Sequence, residues 1–138
     1  MSPGARILVI EDDALQIQAH VMMLEDWGFR PVVARDGGEA LSRLADGVPD
    51  LLICDYLLGG GATGPQVVGD LRAACGRILP ALFITGIDDA EPLAEIAAVG
   101  GILVPKPFSL GALRRTIART LAVRPIDPAD ARTPPAIR

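Results

Sequence analysis

The stretch Asp50-Leu51-Leu52-Ile53-Cys54-Asp55-Tyr56 decides the fold. Its four consecutive apolar residues suit a strand covered on both faces, as in a parallel sheet; a strand with one wet face would alternate polar and apolar residues instead. The run ends at a carboxylate, Asp55, and a loop containing Gly59, Gly60, Gly61 and Gly64 follows. That places Asp55 at the carboxyl end of a strand, where open α/β sheets gather their chemistry.

Upstream, Ile7-Leu8-Val9-Ile10 is a second apolar run, and it delivers Glu11, Asp12 and Asp13 to its own carboxyl end. Residues 14–26 carry Leu15, Ile17, Val21, Met22 and Leu24 at near-helical spacing, with Asp13 suited to cap the first turn and Gly28 to stop the helix. A second strand is expected over 31–34 and a second helix over 38–45. Downstream of Asp55 a helix is expected over 66–75, a strand over 81–84 ending at Thr85-Gly86, and a helix over 91–99. A fifth strand over 102–104 is closed by Lys106-Pro107-Phe108, and Ser109 caps a last amphipathic helix bearing Leu110, Leu113, Ile117 and Leu121. Strands alternating with helices predict an α/β architecture: a doubly wound, five-stranded parallel sheet in the order 2-1-3-4-5, with helices on both faces. One domain is expected over 1–123. Residues 124–138 hold Pro125, Pro128, Pro134 and Pro135 with few large apolar side chains, the composition of a flexible tail.

The net charge of the 138 residues is −4 and no basic run occurs, which argues against direct binding of nucleic acid. No stretch reaches the roughly 18 apolar residues of a membrane span, and the N-terminus runs straight into a strand, so the expected location is cytoplasmic. Cys54 and Cys75 have no pairing logic; Cys54, inside an apolar run, is expected to be buried and reduced. The one histidine, His20, is expected on the polar side of the first helix, and Trp27 and Phe29 over that helix's end.

The order 2-1-3-4-5 puts the topological switch point between strands one and three, beside Glu11, Asp12 and Asp55, with Thr85 and Lys106 on the same rim. Two unit charges about 4 Å apart repel by around 4 kcal/mol at an effective dielectric near 20, so such acids call for a counterion. Carboxylates, a backbone carbonyl and retained waters are the Mg2+ pattern. Lys106 adds a movable positive charge and Thr85 a hydroxyl donor. Together these groups would orient a phosphoryl group, with Asp55 as nucleophile.

The segments ILVIEDD at 7–13, LLICDY at 51–56, LFITG at 82–86 and VPKPF at 104–108 together resemble the receiver domain of bacterial two-component response regulators, over residues 6–122. The resemblance implies a flavodoxin-like sheet and Asp55 as acceptor of a phosphoryl group from a phosphohistidine on a histidine kinase or phosphotransfer protein. It implies Mg2+ held by Glu11, Asp12, Asp55 and the backbone carbonyl of Leu57. It makes Thr85 the switch hydroxyl, Lys106 the phosphate-pairing lysine, the Gly86 amide a further contact, and the Lys106–Pro107 bond cis. The phosphorylated state would be read by a downstream protein through helix four, strand five and helix five, a face also compatible with a homodimer.

There are departures. The loop after Asp55 is one residue longer than usual, and the connection between strands four and five about one shorter. Leu103 stands where an aromatic residue commonly rotates on activation, and Pro105 removes a donor before Lys106. These traits are more similar to receivers attached to or serving hybrid histidine kinases than to common DNA-binding regulators. A haloacid-dehalogenase-like phosphohydrolase is the alternative from another class, but it wants an acid where Leu57 stands, a cap and more chain; a docking-only pseudo-receiver is a third. Leu57 and Ile87, both apolar beside the expected phosphoryl site, predict slow self-dephosphorylation.

Overall fold

Parallel strands cannot be joined by tight turns, and each crossover here is closed by a helix. The computed structural model describes residues 4–58, 61–86 and 89–122. In chain order the elements are β1 (Arg6–Ile10), α1 (Ala14–Asp26), β2 (Arg30–Ala34), α2 (Gly37–Arg43), a 3-10 turn (Leu44–Asp46), β3 (Leu51–Cys54), α3 (Gly64–Cys75), β4 (Ala81–Thr85), α4 (Ala90–Ala98), β5 (Ile102–Pro105) and α5 (Leu110–Ala122). All strand pairs are parallel and the order is β2-β1-β3-β4-β5, as the sequence predicts. Among the described residues no helix is long and apolar enough to cross a membrane. The expected tail at 124–138 lies outside the described residues.

Because successive side chains of a strand point to opposite faces, the unbroken apolar runs feed two cores at once. Leu8, Ile10, Leu52, Cys54 and Phe83 pack with Val67, Val68 and Leu71 of α3 and Ile96 of α4. On the other face, Ile7, Val9, Leu51, Ile53, Leu82 and Ile84 meet Leu24 of α1 and Leu113, Ile117 and Leu121 of α5. Cys54 is a buried free thiol and Cys75 a half-buried one, as expected.

The helix starts follow local chemistry. Oδ1 of Asp13 accepts from the amides of Leu15 at 2.9 Å and Gln16 at 3.2 Å, and Oγ of Ser109 accepts from Ala112 at 3.0 Å. The third helix begins at Gly64 rather than at residue 66, because Thr63 and Gln66 form a capping box with Pro65 inside the first turn. Helix two ends earlier than expected, its last turn tightening to a 3-10 turn before Gly47, whose φ of 139° suits only glycine.

His20 corrects the sequence reading, for it is buried, not solvated. Its four-residue spacing from Leu24 puts both on the inward face of α1, while Leu15 and Met22 are turned to solvent. Phe29 joins the core beside a half-buried Trp27, whose ring lies 5.7 Å from the Arg114 guanidinium. Nδ1 of His20 has no hydrogen-bond partner among the described residues. Burial pushes its pKa below the ordinary imidazole value, and the Gln16 backbone opposes that shift.

Two glycines are fixed by space. A methyl group on Gly101 would overlap the Phe83 ring, and one on Gly64 would overlap the carbonyl oxygen of Asp55, whereas Gly69, inside α3, has nothing near. Urea unfolding is therefore expected to find Gly101→Ala less stable by about 1–3 kcal/mol and Gly69→Ala more stable by about 0.5–1 kcal/mol. Equal effects from the two substitutions would contradict this packing.

Candidate functional site

Strands β1 and β3 are direct neighbours, with Ile10 in register with Cys54, so the residues that follow each strand emerge side by side. The ladder continues past the strand ends: the Asp55 amide donates to the Ile10 carbonyl at 3.2 Å, and the Glu11 amide to the Ala34 carbonyl at 3.0 Å. This fixes the backbone under the acids. One carboxylate oxygen from each of Glu11, Asp12 and Asp55 lies within 4.8 Å of the others, so these three predicted residues do converge.

Their surroundings differ. Glu11 is buried, and its Oε2 accepts from the amides of Asp12 at 3.1 Å and Asp13 at 3.2 Å, which hold it inward; Asp12 is exposed. Asp55 is half-buried, and its Oδ1 accepts from the Tyr56 amide at 2.8 Å. Burial raises the pKa of Glu11 above the usual carboxylate value, and the charge of Asp55 adds to this against the neighbouring amides and Lys106. Asp55 is likewise raised, by burial and by Asp12, while the Tyr56 amide, Lys106 and His20 oppose.

Thr85 ends β4, buried, in register with Pro105. The Lys106 amide donates to the Thr85 carbonyl at 3.0 Å, so the chain stays laddered one residue beyond Pro105, an exposed proline tolerated on an edge strand. The Lys106–Pro107 bond is cis, as the resemblance implies. The Lys106 ammonium donates to Oε1 of Gln16 on α1 at 2.8 Å. Leu57 is 60% exposed and forms an antiparallel bridge with Thr63, and the Leu58 amide donates to the Ala62 carbonyl at 3.2 Å. The described ends of the loop after Asp55, 57–58 and 62–63, thus pair as a small hairpin does. Ile87 lies outside the described residues.

Four residues here were not singled out from the sequence: Gln16, Tyr56, Thr63 and Glu95. The phenol of Tyr56 and the hydroxyl of Thr63 both donate to the Glu95 carboxylate on α4, and the first of these bonds pushes the Tyr56 pKa up to about 12. The Thr63-x-x-Gln66 spacing before an apolar run was a legible sign of a helix start. Nothing local marked Glu95 or Gln16.

A raised carboxylate pKa means that folding favours the protonated form, so the ionised Asp55 costs stability above its folded pKa and that cost vanishes as the pH falls through it. Asp55→Asn removes the charge and keeps an acceptor for the Tyr56 amide. Thermal unfolding without divalent ions is expected to give a higher Tm for Asp55→Asn at pH 7.5, by roughly 3 °C for each kcal/mol relieved, and a smaller difference at pH 4. A variant less stable at both pH values would contradict crowding at Asp55.

Comparisons with known proteins agree with this geometry. The model of the response regulator receiver domain matches residues 7–118. The phosphate regulon transcriptional regulatory protein PhoB of Escherichia coli is 36% identical over 120 residues, covering 86% of this chain and 51% of that protein. Response regulator MprA of Mycobacterium tuberculosis is 35% identical over 137 residues, covering 98% of this chain and 57% of its own. The chain thus spans about half the length of these curated relatives. Among solved structures, the Vibrio cholerae chemotaxis protein CheY4 matches with a TM-score of 0.74 at 28% identity, covering 84% of this chain and 98% of that one. The signal receiver domain of a modulated diguanylate cyclase from Desulfovibrio desulfuricans matches with a TM-score of 0.77 at 28% identity, covering 86% and 94%. With its strand order, its acid cluster and a family match over most of its length, the chain belongs to the response regulator receiver domains of two-component signalling systems.

Proposed function

We propose that this domain takes a phosphoryl group on Asp55 from a phosphohistidine of a histidine kinase or phosphotransfer protein, with Mg2+ as the required cation. The observation that carries this reading is the convergence of Glu11, Asp12 and Asp55 at the switch point of the sheet. An all-oxygen donor set with two carboxylates held above their usual pKa fits a hard divalent cation, and Asp12, Asp55, Glu11 and the Leu57 carbonyl would hold it. Such a cation supplies charge neutralisation for the transferring phosphoryl oxygens.

The protein's own groups do the rest. A carboxylate oxygen of Asp55 attacks phosphorus, the nitrogen–phosphorus bond breaks, and the departing imidazole takes up a proton. Thr85 donates its hydroxyl to a phosphoryl oxygen, and Lys106 exchanges its bond to Gln16 for another phosphoryl oxygen. The phosphorylated state is then read by a downstream protein at the face of α4, β5 and α5, where Ile102, Leu103 and Leu110 are exposed. That face also serves the homodimer reading. As a receiver the domain is proposed over residues 1–123, with a cytoplasmic location. Association with a hybrid histidine kinase rests on the longer loop after Asp55, the shorter connection before β5, Leu103 and Pro105.

Incubation with Mg2+ and acetyl phosphate, followed by intact-mass measurement, is expected to add one phosphoryl group to the wild type and none to Asp55→Asn. Lys106→Ala should slow the gain by roughly 10²-fold, the cost of one lost charge donor. A wild type that gains nothing would leave docking without phosphorylation as the better reading. Leu57, two residues past Asp55, offers an apolar side chain to an attacking water, so the aspartyl phosphate should outlast seconds and Leu57→Asn should shorten its lifetime. Turnover within seconds, unchanged by that substitution, would remove the apolar-cover argument.

A further inference from the structure

One carboxylate binds the loop after Asp55 to α4. The two oxygens of Glu95 take separate hydroxyls: Oε1 accepts from the Tyr56 phenol, and Oε2 from Oγ1 of Thr63 at 2.8 Å. Tyr56 adjoins Asp55 and its amide donates to Asp55 Oδ1 at 2.8 Å, so a single residue touches both carboxylates. Thr63 closes the other end of the hairpin, where its hydroxyl also accepts from the Gln66 amide at 3.4 Å as the cap of α3.

The contacts are part-buried. Tyr56 is buried and packs in the core with Leu58 and Ile96, the residue after Glu95. A rigid ring with two side-chain torsions transmits a backbone shift at position 56 to its hydroxyl with little slack. The phenol is protonated at neutral pH, and the bond to Glu95 pushes its pKa further up. On β5, by contrast, Leu103 is aliphatic and 37% exposed, with no polar atom to follow Thr85.

We propose that Glu95 is a positioning residue that ties α4 to the acceptor loop through Tyr56 and Thr63, so that loading of Asp55 shifts α4. This rests on the acceptor reading above. Turning a carboxylate oxygen of Asp55 into an acyl phosphate changes what the Tyr56 amide meets, and the phenol carries that change to Glu95. Coupling of this kind is reciprocal: a protein bound to α4 alters the affinity of the Asp55 pocket by the factor with which loading alters its own binding.

The test is hydrogen exchange of residues 90–98 in the full chain, with and without Mg2+ and acetyl phosphate, with intact mass read on the same samples. In the wild type, loading is expected to change exchange in α4 by about fivefold or more. Glu95→Ala should still gain the phosphoryl group but lose that response. Tyr56→Phe, normalised to the fraction loaded, should lose most of it, and Glu95→Gln, which keeps an acceptor oxygen, should retain part. A mere packing role would shift basal exchange and leave the loading-dependent difference intact. An undiminished response in Glu95→Ala and Tyr56→Phe, or a loaded wild type with no change in α4, overturns the tie alone. No mass gain in the wild type contradicts the acceptor reading, and the coupling with it.

Discussion

Crowding of carboxylates, two of them drawn into the protein, at the ends of adjacent parallel strands is the constraint on which the rest of the structure turns. β1 and β3 bring Glu11, Asp12 and Asp55 together, and the ladder bonds beneath them leave the backbone little room to relax. Burial of Glu11 and Asp55 disfavours their ionised forms and the charge of a neighbouring acid adds to this, so both pKa values lie above the usual carboxylate value. The cluster persists because two apolar cores, one on each face, over-determine the sheet that carries it. The stability of the fold thus supports a site whose negative charge the Lys106 ammonium only partly offsets.

The same reasoning explains what was legible in the sequence. Apolar runs such as Leu51 to Cys54 reported strands buried on both faces, and the acid that ended each run reported a strand's carboxyl end. Strand order then followed from the rules of parallel crossovers, and with it the convergence of residues 44 positions apart in the chain, Glu11 and Asp55. Asp13 and Ser109 were legible as caps because capping is local chemistry.

Whatever depended on contact between distant elements was not legible. His20 reads as a polar helix residue, yet its distance from Leu24 sets it against the sheet, and only the packing of α1 decides which stripe turns inward. Glu95 is one acid among several on α4, and its pairing with Tyr56 and Thr63 exists only once the loop after Asp55 folds back as a hairpin. Gln16 meets Lys106 across 90 residues of chain, a contact with no local signature. The polar tie from the loop to α4 is built from residues distant in the chain, Tyr56 and Thr63 on one side and Glu95 on the other.

The central proposal is that the strand-end acids form one cation site that includes Asp55, the proposed acceptor. Anomalous X-ray scattering from crystals grown with Mn2+, a close substitute for Mg2+, measures this most directly. The account predicts a single peak among Glu11, Asp12, Asp55 and the Leu57 carbonyl. Well-ordered acids with no peak between them, or a peak held elsewhere on the molecule, would contradict it.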